Sequence, residues 1–236
     1  MATEVQVAVA KVNRWAMSES GDTFEMVERP HGGLSLVLVD GQSHGKGAKS
    51  VSHIVARKAI ALLAEGVRDG AAARAAHDYL YTARGGKVSA TLNIISVDLV
   101  THTLVISRNT HCPVLVAAGA ELRVLNEPSA AIGIRLRTRP NIYEVPIAAP
   151  LTVVAFTDGL LDAGVRTAQS LDYLSLTKGL CAQLSDARRV ADELLNAALQ
   201  LDQDRPNDDI SVLVVATRDA AQGDLTRRMS VSFPIE

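Results

Sequence analysis

Aromatic residues are scarce: Phe, Tyr and Trp together make 3% of the 236 residues, although hydrophobic residues reach 47%. The core must therefore be built from Ala, Val, Leu and Ile, and the placement of those residues decides the fold class. Cysteine is almost missing. Cys112 and Cys181 lie far apart in a long chain, which excludes a disulfide-built secreted scaffold and leads us to expect a cytoplasmic protein. No run approaches the ~18 apolar residues of a membrane span. Met1 to Ala10 carries Glu4 where a signal peptide needs a basic end and an apolar stretch. An excess of charge is also lacking, with Lys plus Arg at 24 against Asp plus Glu at 26, a net charge of −2. Neither nucleic acid nor an anionic membrane is an expected partner. Repeats, low-complexity stretches and a Pro/Ser-rich linker are absent. The expectation is one domain over residues 1–236, with a core at about 5–218 and a C-terminal extension at 219–236. In that extension Asp219 to Thr226 reads as a polar spacer before a last short apolar segment, Met229 to Ile235.

Short β-branched runs recur with breakers nearby: Val5 to Val12, Leu34 to Val39, Leu92 to Val97, Leu104 to Ser107, Pro113 to Ala118, Leu151 to Phe156 and Ile210 to Val215. These read as strands, several of them buried on both faces. Ala48, Val51, Val55, Ala59, Leu62 and Leu63 recur at three- and four-residue steps, predicting a helix from about Lys46 to Glu65. A second follows at about Ala71 to Ala83. Leu180, Leu184, Val190, Leu194, Leu195 and Leu199 mark another helical pair ending before Arg205-Pro206-Asn207. Between Ser89 and Leu125 the strands are consecutive and joined by short turns, so neighbours should pair antiparallel. Paired helices around a strand meander indicate an α+β layered domain. Arg135, Arg137 and Arg139 alternate, and on a strand they would share one face.

The chemistry-bearing pattern is acidic. The run Leu34 to Val39 ends in Asp40-Gly41, and Leu151 to Phe156 leads through Thr157 into Asp158-Gly159. Glycine after aspartate suggests a sharp turn that presents carboxylate and backbone carbonyl together at a strand end. Asp22 precedes a short strand, and Asp208-Asp209 stand just ahead of the last strong one. Carboxylates gathered in this way repel one another and raise each other's pKa unless a cation neutralises them. An all-oxygen set with few His or Cys favours Mg²⁺ or Mn²⁺ over zinc.

Ser20-Gly21-Asp22, Asp40-Gly41-Gln42-Ser43-His44-Gly45, Phe156-Thr157-Asp158-Gly159-Leu160 and Asn207-Asp208-Asp209-Ile210-Ser211 appear in the order and spacing of the PPM-type (protein phosphatase 2C-like) metal-dependent Ser/Thr phosphatases. The chain resembles their SpoIIE/RsbU/RsbX branch from about Val7 to Thr217. That resemblance implies a four-layer α-β-β-α sandwich, two antiparallel sheets flanked by helices, with two divalent metal ions, Mn²⁺ or Mg²⁺, at one end. It implies that Asp40 bridges both metals and that Gly41 offers its carbonyl to one of them. Asp22 would hold that same ion, and Asp158 with Asp208 the other. Asp209 stands where the family often has Asn, and two adjacent acids leave the assignment uncertain by one residue. On this reading Asp40 and Asp158 are catalytic, and a metal-bridging hydroxide attacks phosphorus directly. The implied substrate is a phosphorylated protein, a STAS-domain or anti-sigma-factor-antagonist type of partner. Ser43 departs from the pattern at a place that is often glycine. A layout like that of RsbX, a stand-alone enzyme, is also implied.

Gly41-Gln-Ser43-His-Gly45 also matches the Gly-x-Ser-x-Gly elbow of serine esterases, between a strand and a helix as that elbow requires. Its triad would need an acid and then a His later in the chain, yet the last histidine is His111. A third reading is a phosphatase-like module that binds a phosphoprotein without turnover; the retained aspartates argue against it. His44 and His111 are read as loop and turn residues, and both cysteines as buried small apolar groups.

Overall fold

The computed structural model describes residues 3–30, 32–183, 186–220 and 226–234. Ten strands form two antiparallel five-stranded sheets. The first has the order β1 (Thr3–Val12), β10 (Ile210–Asp219), β9 (Leu151–Phe156), β6 (Val114–Ala118) and β7 (Glu121–Leu125). The second has the order β2 (Thr23–Glu28), β3 (Leu34–Gly41), β4 (Ala90–Asp98), β5 (Thr103–Asn109) and β8 (Asn141–Pro146). Helices α1 (Gly45–Ala64) and α2 (Asp69–Arg84) join β3 to β4. Between β9 and β10 come α3 (Asp158–Leu161), α4 (Tyr173–Gln183) and α5 (Ala187–Leu201).

The two-residue side-chain period of the strands generates the layers. Along β10, Leu213 and Val215 face the other sheet while Val212, Val214 and Ala216 meet α5. Along β3, Leu36 and Leu38 face the other sheet while Val37 and Val39 meet α1 and α2. Three apolar clusters result, one between the sheets and one under each helical pair. This is the four-layer α-β-β-α sandwich, and the doubly buried strands are its two inner layers. Ala48, Val55, Ala59 and Leu63 are fully buried on α1, so small residues let that helix approach its sheet closely.

Several details differ from the sequence reading. β8 pairs with β5 at the sheet edge and alternates half-buried and exposed positions, so it carries no continuous apolar run. Arg135 and Arg137 lie in bends and a turn, Arg137 with φ +59°, so their alternation places them on no common strand face. Residues 226–234 form no regular element, and Met229, Val231 and Phe233 are exposed. Leu184 and Ile235, together with residues 221–225 of the expected spacer, lie outside the described residues. Among the described residues no helix is long and apolar enough to cross a membrane.

Candidate metal centre

β1 pairs with β10 in register from Thr3 opposite Asp219 to Val12 opposite Ile210, and β10 pairs with β9 as far as Val212 opposite Phe156. The loops before β10 and after β9 therefore emerge at one end of the sandwich. At that same end β3 finishes, with Asp40 opposite Thr91 of β4, and β2 begins one residue after Asp22. Asp40 continues the side-chain alternation of Leu36 and Leu38, so it lies on the face between the sheets. The antiparallel registers, rather than proximity in sequence, collect Asp22, Asp40, Asp158, Asp208 and Asp209.

Glycines make the approach possible, though not through the turn that the sequence suggested. Gly41 and Gly159 do not have positive φ. A Cβ on Gly41 would stand 2.1 Å from the Ala48 carbonyl oxygen of α1, and one on Gly159 would stand 2.3 Å from the Asp209 carbonyl oxygen. Close backbone approach is the requirement. Ser43 does have φ +78°, so it carries the left-handed conformation at the place where the pattern often has glycine.

The acids have different environments. Asp22, 1% exposed, accepts at Oδ2 from the Ser211 hydroxyl at 2.6 Å and the Thr157 hydroxyl at 2.9 Å. Its main-chain oxygen accepts from the ammonium groups of Lys11 and Lys49, each at 2.6 Å. Asp209, 3% exposed, accepts at Oδ1 from the Arg14 N–H at 2.9 Å and at Oδ2 from the Gly21 N–H at 2.7 Å. Asp208 is half-buried; its Oδ1 accepts from the Asp209 N–H at 2.8 Å and lies 3.5 Å from Nδ1 of His44. Asp158 Oδ2 lies 3.9 Å from Nε2 of His111. Burial first, and then the charges of Asp22, Asp158, Asp208 and Asp209, push the Asp40 carboxyl up to about 9. Burial likewise raises Asp22 and Asp158, the latter further through Asp208.

Desolvation and mutual repulsion make this cluster hold protons in the absence of a cation and make it a candidate for binding one. The donors are carboxylate and carbonyl oxygens, the set that hard divalent cations prefer. The residues fit Mg²⁺ or Mn²⁺ in chemistry, although among the described residues no three carboxylate, imidazole or thiol side chains are gathered closely enough to hold an ion as they stand. Oδ2 of Asp22 and both carboxylate oxygens of Asp209 are engaged by hydroxyl and amide donors.

The family model for stage II sporulation protein E (SpoIIE) matches residues 30–218. The chain belongs to the SpoIIE family. This is the PPM-type SpoIIE/RsbU branch of phosphatases. Asp40, Gly41, Asp158, Asp208 and Asp209 fall inside the matched span, and Asp22 just ahead of it. No curated protein sequence matches the chain. The PP2C phosphatase domain of SpoIIE from Bacillus subtilis, solved with a fragment of its regulatory domain, superposes with a TM-score of 0.80 at 18% identity, over 93% of this chain and 64% of that one. The RsbU and RsbW domains of a Mycobacterium tuberculosis protein give 0.72 at 21% identity, over 91% and 60%. The catalytic domain of the serine/threonine phosphatase PstP, in complex with two manganese ions, gives 0.72 at 15% identity, over 92% and 100%. The chain thus spans less than two thirds of the first two structures, and at these identities the likeness establishes the fold.

Within a SpoIIE-family fold the esterase reading loses its frame. Ser43 follows a strand of an antiparallel sheet, whereas the elbow needs the parallel sheet of an α/β-hydrolase. Sequence reasoning missed Lys11, Lys49, Thr157 and Ser211 as partners of Asp22. Thr157 and Ser211 were visible as residues beside the acids in two motifs, whereas nothing in the sequence pointed to the lysines. It also read His44 and His111 as loop residues, and both turn out to face carboxylates of the cluster.

Proposed function

We propose that this chain is a Mg²⁺- or Mn²⁺-dependent protein phosphatase of the cytoplasm, hydrolysing phosphoserine or phosphothreonine in a signalling partner. The observation that carries this reading is Asp40, a half-buried carboxylate at the end of β3, raised to about 9 by desolvation and by the surrounding charges of Asp22, Asp158, Asp208 and Asp209. The residues proposed to hold the metal ions are Asp40, the Gly41 carbonyl, Asp22, Asp158 and Asp208. Asp209, with one main-chain amide on each oxygen, is proposed to anchor the loops that carry Asp22 and Asp208. When bound, the cations would neutralise the acids, polarise the phosphoryl group and acidify a water for hydrolysis of the ester.

The chain's own part is placement. Thr157 and Ser211 keep Asp22 turned towards β9 and β10, and the two lysines pin its backbone. His44 orients Asp208, and His111 stands beside Asp158 at the open side, where a phosphate ester would enter. The proposed partner is a STAS-domain protein or an anti-sigma-factor antagonist, the class implied by resemblance to the SpoIIE/RsbU/RsbX branch. The two manganese ions of PstP support the choice of cation.

The test is hydrolysis of p-nitrophenyl phosphate and p-nitrophenyl acetate with Mn²⁺ and after EDTA. Phosphatase activity that needs Mn²⁺, is lost in Asp40→Asn and survives Ser43→Ala is expected. Metal-independent esterase activity lost in Ser43→Ala would overturn the proposal, as would a normal phosphatase rate in Asp40→Asn.

A further inference from the structure

Helix α1 starts at the end of the Asp40–His44 loop and runs away from the acid cluster. Its inner face is buried apolar surface; its outer face is basic. Lys46, Lys49, His53 and Arg57 recur at steps of three and four, so they form one stripe along the helix. The stripe makes up most of a shallow, open groove of about 590 Å³, lined by Lys46, Lys49, Ser50, His53, Ile54 and Arg57 of α1 and by Glu19 at its edge. Lys46, His53 and Arg57 are exposed, and among the described residues none of the three forms an ion pair. Among the described residues Glu19 is the only acid in the lining. The groove is therefore a local positive field in a chain whose net charge is −2. The imidazole of His53 is held below its usual range by partial desolvation and then by Lys49 and Arg57, against the smaller opposing charges of Glu25 and Glu19.

The stripe is continuous with the metal centre. Lys49 Nζ donates both to the Asp22 carbonyl at 2.6 Å and to the Thr23 hydroxyl at 3.2 Å, so one of its members already touches the loop that carries Asp22. From Lys46 to Arg57 the helix rises roughly 16 Å, the reach of about five extended residues. A peptide with its phosphorylated residue at the acid cluster has this groove beside its flanking residues.

We propose that the α1 groove is the docking track for the acidic segment that flanks the phosphorylated residue of the protein substrate, with Lys46 and Arg57 selecting carboxylates within about five positions of it and the neutral imidazole of His53 between them. This deepens the phosphatase reading and rests on it. Unpaired cations along a shallow groove favour a negatively charged segment, both by drawing it in and by raising the cost of a neutral or basic one.

The experiment uses phosphoserine peptides that differ only in their flanks, five Glu or five Gln on one side, with the acidic flank tried on each side in turn. The expected result is a kcat/KM for one Glu-flanked peptide about tenfold above the Gln-flanked one at low salt, the advantage shrinking as salt screens it. Lys46→Glu combined with Arg57→Glu should remove that advantage and leave p-nitrophenyl phosphate turnover unchanged, while Lys46→Arg with Arg57→Lys should retain it. Equal kcat/KM for the two flanks in the wild type, or an undiminished preference in the charge-reversed protein, overturns the proposal. If the wild type hydrolyses neither peptide nor p-nitrophenyl phosphate with Mn²⁺, the phosphatase reading fails. Fluorescence anisotropy with the labelled Glu-flanked peptide then decides the groove: binding lost on charge reversal supports it, and binding unaffected by charge reversal or no binding at all overturns it.

Discussion

Both oxygens of Asp209 are taken by main-chain amides, while the neighbouring Asp208 is half-buried with His44 beside it. Asp209 has both oxygens on the backbone, whereas Asp208 has one oxygen on the Asp209 amide and the other without such a donor, and we propose Asp208 as the acid that serves the site. Removing a buried acceptor strands its donors, at about 1–3 kcal/mol for each unsatisfied group. Asp209→Ala should thus lower the unfolding free energy by about 3 kcal/mol or more. Asp208→Ala should change it by less than about 1 kcal/mol, because the side chain is partly exposed and repelled by its neighbours. Activity should invert the order, with Asp208→Ala at least about a hundredfold slower in Mn²⁺-dependent hydrolysis under conditions where both proteins are folded. Urea unfolding and p-nitrophenyl phosphate rates on the two variants check this pair.

At the scale of elements, close contact between β3 and α1 depends on one position. Gly41 leaves no room for a Cβ, which would stand 2.1 Å from Ala48 O, and the obstacle is helix backbone that cannot rotate away. Gly41→Ala must push α1 off the sheet or bend the end of β3, and should cost more than about 3 kcal/mol together with most of the activity. Gly47, on the same helix, has open space where a Cβ would stand, with nothing within 4 Å, and Gly47→Ala should stabilise by up to about 1 kcal/mol through helix propensity. Thermal melts of the two variants should move in opposite directions.

For the whole molecule, the acid cluster opposes folding wherever its carboxylates ionise with no cation present. Asp40 is raised from its ordinary value of 3.8 to about 9, so the folded protein keeps a proton that the unfolded chain releases. The stability associated with that proton is fully present below about pH 4 and is lost as pH rises through about 9. Asp22 and Asp158 are raised in the same direction. The metal-free protein should therefore melt at progressively lower temperature between about pH 5 and 9, with Asp40→Asn flattening the slope. Mn²⁺ should restore stability most at the alkaline end, where the carboxylates are ionised and bind it best. Melting curves across pH in EDTA and in Mn²⁺ measure this directly.

Local pattern by itself determined much of this protein. The β-branched runs at Leu34, Leu92, Leu151 and Ile210 became inner strands because a segment that is apolar on both faces has to be covered on both. The periodicity of Ala48 to Leu63 became α1 because the apolar stripe of a helix has to meet a sheet. The four aspartate motifs pointed to the family because their order and spacing resemble those of the SpoIIE/RsbU branch, and the family model bears that out. Local pattern was weakest where an element is half exposed, so β8, with its alternating burial, left no apolar run to read. Only the tertiary structure decided which side chains serve the acids. Thr157, Ser211, Lys11 and Lys49 reach Asp22 across as many as 189 residues of sequence. It also gave Asp209 its amide donors, because those of Arg14 and Gly21 arrive only when β1 and β10 pair. Periodicity is a property of neighbours along the chain, whereas a carboxylate's partners are chosen by strand register, and that register exists only in the folded sheet.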